Sequence, residues 1–174
     1  MRHLLYLPLL LVGCKILTFP VAFSTSTQVD GAGLFGDLLG ALDFTGFGDF
    51  DLAFEDELAN QGVAEGDVTR VELTRFELAA EPDLAFLESI AIYVEADGFP
   101  RTRVASADSF PPGEPRVALN LDPVDLTDAI VAPSLQFSVE VTGSAPSEDR
   151  TITADLEASV EATLQGACRA ISGG

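Results

Sequence analysis

Polar and apolar positions in this chain fall into short blocks with a period of two, separated by turn-forming residues. Phe19, Val21, Phe23, Thr25, Thr27 and Val29 share one face of an extended segment that Asp30-Gly31-Ala32-Gly33 ends. Leu34, Phe35, Leu38, Leu39 and Leu42 then recur at helical spacing, which predicts a short amphipathic helix over 33–42. Gly36 and Gly40 weaken that helix, so packing or a membrane surface has to hold it. An acidic turn of helix is predicted from Glu55 to Gln61, stopping near Gly62. From Val68 onward the pattern is strands cut by turns. Val71 and Leu73 share a face with Phe76 and Leu78 only if the phase slips at Thr74-Arg75, which predicts a bulge. Glu81-Pro82-Asp83 turns the chain. Ile90, Ile92, Val94 and Ala96 mark a strand closed by Asp97-Gly98-Phe99-Pro100, and a weaker strand covers Arg101 to Ala107. Phe110 to Pro115, with three prolines, predicts an irregular surface loop. Val117, Leu119 and Leu121 predict one strand, Asp125 to Val131 one helical turn, and Leu135, Phe137, Val139 and Val141 another strand before a turn over Gly143 to Asp149.

The last block, Ile152 to Leu164, fits two periods. Its apolar residues alternate without a break, yet Ile152, Leu156, Val160 and Leu164 also lie four apart and the intervening alanines favour helix. Polar residues at every other place favour the strand. Seven or so strands, with two small helical inserts after the first, predict a mainly β chain folded as an antiparallel β-sandwich, an immunoglobulin-like form being one such arrangement. The chain lacks tryptophan and therefore the Cys…Trp…Cys core of a true immunoglobulin domain. One domain is expected over residues 19–170, with no internal repeat or linker.

The stretch ahead of that domain has a different character. Arg2 and His3 form a minimal basic region, and Leu4 to Gly13 is an unbroken apolar run of signal-peptide length, too short to cross a bilayer alone. The run ends in Leu11-Val12-Gly13-Cys14, which resembles the lipobox of bacterial lipoproteins. The resemblance implies that residues 1–13 are a signal peptide, and that the Cys14 thiol takes a diacylglycerol. Cleavage before Cys14 and acylation of the new amino group with a fatty chain such as palmitate would follow, leaving 14–18 as a lipidated cysteine with a short tether. Several acyl chains on one residue give stable anchoring, at about 0.8 kcal/mol per buried methylene. Residue 15 is Lys rather than Asp, which by resemblance to lipoprotein sorting signals points to the outer membrane. Three other readings stand beside this one, the first being a true start elsewhere, since the basic region is so short. A cut near Ala22-Phe23-Ser24 would give a secreted or periplasmic product. A retained membrane helix over Leu4 to Phe23 is opposed by Pro8, Lys15 and Pro20. The second cysteine, Cys168, is a leftover thiol if Cys14 is acylated, and otherwise could bridge to Cys14 and join the two ends of the domain.

Charge narrows the partners. The net charge is −19, and loss of Arg2 with the leader leaves 8 basic against 28 acidic groups, or −20. A body this acidic is repelled by nucleic acid phosphates and by anionic lipid, so no nucleic acid partner is expected, and a membrane would be held through the acyl anchor. The simplest reading of the charge is solubility and salt tolerance. A hydrophobic fraction of 47% excludes a disordered chain.

Candidate chemistry is thin. The sole histidine, His3, leaves with the signal, so the mature chain has no imidazole base or ligand. No Gly-x-Ser-x-Gly elbow or phosphate-binding loop occurs. Carboxylate pairs are too numerous to single one out as glycosidase-like. Tyr93 falls on the strand face opposite Ile92 and Val94, as a surface ring. A calcium site is the sharper alternative. Asp43, Asp49, Asp51 and Glu55 crowd a segment that Gly46 and Gly48 allow to fold around an ion. An EF-hand register from Asp49 fails, however, with Ala53 at the fifth place and Asn60 at the twelfth. Phe35, Phe44, Phe47, Phe50 and Phe54 could instead roof one end of the sandwich and line a pocket for an acyl chain. The expectation is therefore a lipid-anchored, non-enzymatic envelope protein without cofactor, its sandwich binding a protein or apolar ligand or serving a structural role. The alternatives are an apolar-ligand carrier under the Phe35–Phe54 lid and a calcium-dependent adhesion module.

Overall fold

A computed structural model describes residues 17–31, 58–61, 63–132 and 134–163. The chain is mainly β, and its described residues form eight strands in two antiparallel four-stranded sheets packed as a sandwich. The strands are β1 (Leu17–Val29), β2 (Val68–Ala80), β3 (Leu87–Ala96), β4 (Phe99–Ala107), β5 (Arg116–Ala118), β6 (Asn120–Leu121), β7 (Gln136–Gly143) and β8 (Arg150–Ala162). One short helix, α1 (Thr127–Ile130), precedes β7. The first sheet has the order β1-β8-β2-β5 and the second β6-β4-β3-β7. Of the expected helical inserts after β1, residues 58–60 are helical, and Leu58 is buried. The insert over 33–42 lies outside the described residues.

β8 resolves the ambiguity of the last block in favour of the strand. It is a central strand, paired along its whole length with β1 from Leu17↔Ala162 to Val29↔Arg150, and on its other side with β2. Ile152, Ala154, Leu156, Ala158, Val160 and Ala162 all point inward and are buried. The alternation of large and small inward residues leaves room for the opposing sheet, as close packing requires. A helix would have spread Asp155, Glu157, Ser159 and Glu161 round its circumference. The strand puts them all on the outer face.

The phase slip expected in β2 is present as a register shift between Leu73 and Arg75 against β8. It lets Val71 and Phe76, five positions apart, both reach the interior, where they are 0% and 2% exposed. A second slip in β4 pairs Ile92 with Ala105 and Tyr93 with Arg103, so that Val104 and Ala105 are both buried.

Two sequence expectations are corrected. Asp97-Gly98-Phe99-Pro100 is not a four-residue turn. The turn is Asp97-Gly98 alone, with Gly98 at φ +81, and Phe99 already pairs with Ala96. Val117, Leu119 and Leu121 do not form one strand. β5 pairs with β2 and β6 pairs with β4, and the buried Leu119 carries the chain from one sheet to the other, donating its N–H to the Phe76 carbonyl at 2.8 Å. Alternating hydrophobicity looks the same whether a strand stays in one sheet or crosses over, which is why the sequence pattern missed the switch. Phe110 sits in the expected loop but is buried.

The sandwich has two distinct ends. One holds the start of β1, the end of β8, the β3–β4 turn and α1. The other holds Gly31, the 81–86 connection, the 108–115 loop and the 144–149 turn. At the first, the Thr127 hydroxyl donates to Asp125 and accepts the Val71 N–H at 3.0 Å, and the Leu126 N–H donates to the Val71 carbonyl at 2.8 Å. These bonds fasten α1 to β2 beside Val71.

Candidate functional site

The residues singled out for lipid attachment and calcium, Cys14, Asp43, Asp49, Asp51 and Glu55, lie outside the described residues, as do Cys168 and the Phe35–Phe54 lid. No group of three metal-ligating side chains occurs among the described residues. Polar chemistry in the described body is concentrated on the outer faces of the two sheets.

On the β3–β4–β7 face, Tyr93 opposes Ser138 on β7 and Arg103 on β4. The Arg101 guanidinium carbon lies 3.7 Å over the Tyr93 ring centre, a stacked cation–π contact. Arg101 also donates to Glu140 at 2.8 Å and to Ser138 at 3.2 Å, and the Tyr93 hydroxyl donates to the other Glu140 oxygen at 3.0 Å. These two bonds, Arg101 first, hold the Glu140 carboxyl below its ordinary pKa. Arg103 forks onto Asp122 at 2.6 and 3.3 Å. Tyr93 is thus a surface ring, as its place on the strand implies. Its pairing with Arg101 was hidden because it depends on the tight turn and the bulge in β4.

The outer face of the other sheet carries a row across all four strands. Ser24 donates to Asp155 at 2.7 Å, Arg75 and Arg116 both donate to Glu77 at 2.7 and 2.9 Å, and Arg116 lies 3.7 Å from Asp155. Beside it runs an open groove of about 440 Å³, lined by Ala79, Glu81, Arg116, Asp149, Arg150 and Thr153 among others, in which Arg150 donates to the Glu81 carbonyl at 2.8 Å. The gap among Phe23, Phe76, Val94, Leu126 and Phe137 measures only about 20 Å³, against the several hundred Å³ of a typical ligand pocket.

Arg70, Arg75, Arg101, Arg103, Arg116 and Arg150 each bond to an acidic residue, through its carboxylate or, for Arg150, its backbone carbonyl. Among the described residues, every shifted carboxylate is held toward its charged form. Arg75 and then Arg116 lower Glu77, the Gly113 and Ala85 N–H groups lower Asp83, and the Thr127 side chain lowers Asp125. The arrangement fixes charges in place at neutral pH.

A pH prediction follows from the sign of these shifts. Acidification from pH 7 first relieves repulsion within a body of charge −19, which favours the compact state. A carboxylate whose folded pKa is depressed contributes stability that is complete above its ordinary value and is lost as pH falls through the folded one. The ordinary values are 4.5 for Glu77 and 3.8 for Asp83 and Asp125. The urea midpoint is therefore expected to hold or rise from pH 7 to about 5 and to drop below about 4. A midpoint still climbing at pH 3 contradicts it.

Comparison of the chain with protein-family models, with curated proteins and with solved structures finds no match in any of the three. What is established is the class of architecture, an acidic antiparallel β-sandwich.

Proposed function

We propose that the protein is a lipid-anchored component of a bacterial cell envelope, tethered through acylated Cys14 and held at the outer membrane, whose sandwich does non-enzymatic binding or structural work. The observation that carries this reading is where the folded body starts relative to the apolar run. The run ends at Cys14, and β1 begins at Leu17, already paired with Ala162. Cleavage before Cys14 therefore leaves the described sandwich whole. Cleavage near Ala22-Phe23-Ser24 would strip half of β1, including Val21, which is 1% exposed and part of the core. A membrane helix over Leu4 to Phe23 would need the same residues in a different conformation. The arginine-paired faces support a stable acidic body presented to solvent, and the lysine after Cys14 supports the outer membrane by resemblance to sorting signals.

The test is the intact mass, without reductant, of protein made in a bacterial host, with Cys14→Ser alongside. The expected product starts at Cys14, carries diacylglycerol and an N-acyl chain, and fractionates with membranes, whereas Cys14→Ser carries no lipid and loses membrane retention. The Leu17↔Ala162 pairing also sets the start of β1 beside the end of β8. A mass two hydrogens short and free of lipid would accordingly identify a Cys14–Cys168 bridge and overturn the proposal, as would a product beginning after Cys14.

A further inference from the structure

If the anchor is at Cys14, very little chain separates it from the folded body. Only residues 15 and 16 lie between Cys14 and β1, so the Cα atoms of Cys14 and Leu17 are at most about 11 Å apart. Leu17, Ala162 and Val68 form the last rung of the first sheet at this end. α1 is bonded beside Val71, and Asp97 of the β3–β4 turn donates its N–H to the Ser134 hydroxyl at 2.9 Å, bringing the segment after α1 to the same end. Leu17 and Val131 are the exposed large hydrophobics of the described residues, 40% and 39% exposed, and both belong here. β1 has no charged residue from Leu17 to Val29, in a chain whose net charge is −19.

We propose that this end of the sandwich, with Leu17, Val131 and the Asp97-Gly98 turn, is seated in the headgroup layer of the bilayer that holds the Cys14 acyl chains. The inference rests on the lipid-anchor reading and adds an orientation to it. The headgroup layer on each side of a bilayer is about 6 Å thick, so a tether reaching about 11 Å cannot lift this end well clear of it. An exposed Leu and Val gain by partial transfer into that layer. The uncharged β1 brings no repulsion to it. Exposed Asp97 and Asp128 on the same end make the contact one for zwitterionic headgroups, weakened by anionic lipid. The 108–115 loop lies at the other end, a strand length of about 40 Å away, and stays in water.

The chain has no tryptophan, so single-tryptophan variants report position cleanly. Acylated Val131→Trp and Glu114→Trp proteins, each verified by mass, are reconstituted in phosphatidylcholine vesicles whose acyl chains carry bromine near the glycerol. The expected result is roughly a twofold loss of Val131→Trp emission, with Glu114→Trp unchanged, and weaker quenching when anionic lipid is added. An acylated, vesicle-bound Val131→Trp protein that is not quenched overturns the seating. If it also crosslinks as a dimer, a second copy covers this end instead. A protein found unacylated fails at the mass step and overturns the anchor reading itself. Should Val131→Trp not fold, deuterium exchange of the unaltered chain serves. Residues 95–100 and 126–132 should be protected on vesicles relative to soluble Cys14→Ser, with 108–115 unaffected, and equal exchange at all three overturns the proposal.

Discussion

Replacing Phe76 with alanine should cost the fold about 4 kcal/mol, read as a lowered urea midpoint at unchanged slope. Phe76 is among the largest fully buried side chains, 2% exposed, and sits in the row Phe23–Leu156–Phe76 across the first sheet. It lines a small gap between the sheets, which is about 20 Å³ with the ring in place. Removing the ring forfeits its transfer free energy and enlarges that gap, with apolar walls that do not hold water. Relaxation is restricted because the position of Phe76 is set by the bulge before it, and its carbonyl accepts the Leu119 N–H where the chain changes sheets. A loss of under about 1 kcal/mol would mean that this part of the core collapses freely around the deletion.

Gly143→Ala is the second large effect, of about 3 kcal/mol or more. Gly143 ends β7 with φ at +155, and a Cβ there would come 2.4 Å from the Phe86 carbonyl oxygen and 2.9 Å from the Leu87 Cα. Both obstacles are backbone of the 81–86 connection and β3, and Ser144 donates its N–H to the same Phe86 carbonyl at 2.9 Å, so neither side yields cheaply. Gly66→Ala is the matched control, since nothing lies within 4 Å of its added Cβ. It is expected to change stability by less than about 0.5 kcal/mol. Thermal melts of the two variants side by side decide the matter, and equal melting temperatures would refute the steric account.

Alternation made most of this architecture legible in the sequence. The inward residues of β3, β7 and β8 were readable because each strand has one face against the opposing sheet, and a buried face forces a period of two. Even the bulge of β2 was readable, since Val71 and Phe76 have incompatible phases without it. The β5–β6 crossover was not, because sheet membership is a long-range property. The Tyr93–Arg101–Glu140 cluster was equally hidden. It joins three strands through a two-residue turn and a register shift, and none of those residues is unusual in its own segment. Arginine pairing on the sheet faces likewise depends on lateral neighbours such as Ser24, Asp155 and Glu77, which lie far apart in the chain. The Leu11-Val12-Gly13-Cys14 stretch, proposed above as the anchor, belongs to a different category, being a short local pattern that does not depend on the fold.

The pairing of β1 with β8 also bears on how the molecule is made. The first described strand, β1, has as its neighbour the last, β8, so the first sheet cannot assemble until β8 is present. Topologies dominated by such distant pairings fold slowly, because loop closure must come before the contacts that reward it. On a chain that emerges from its amino end, β1 would thus wait without its sheet neighbour until β8 had followed it out.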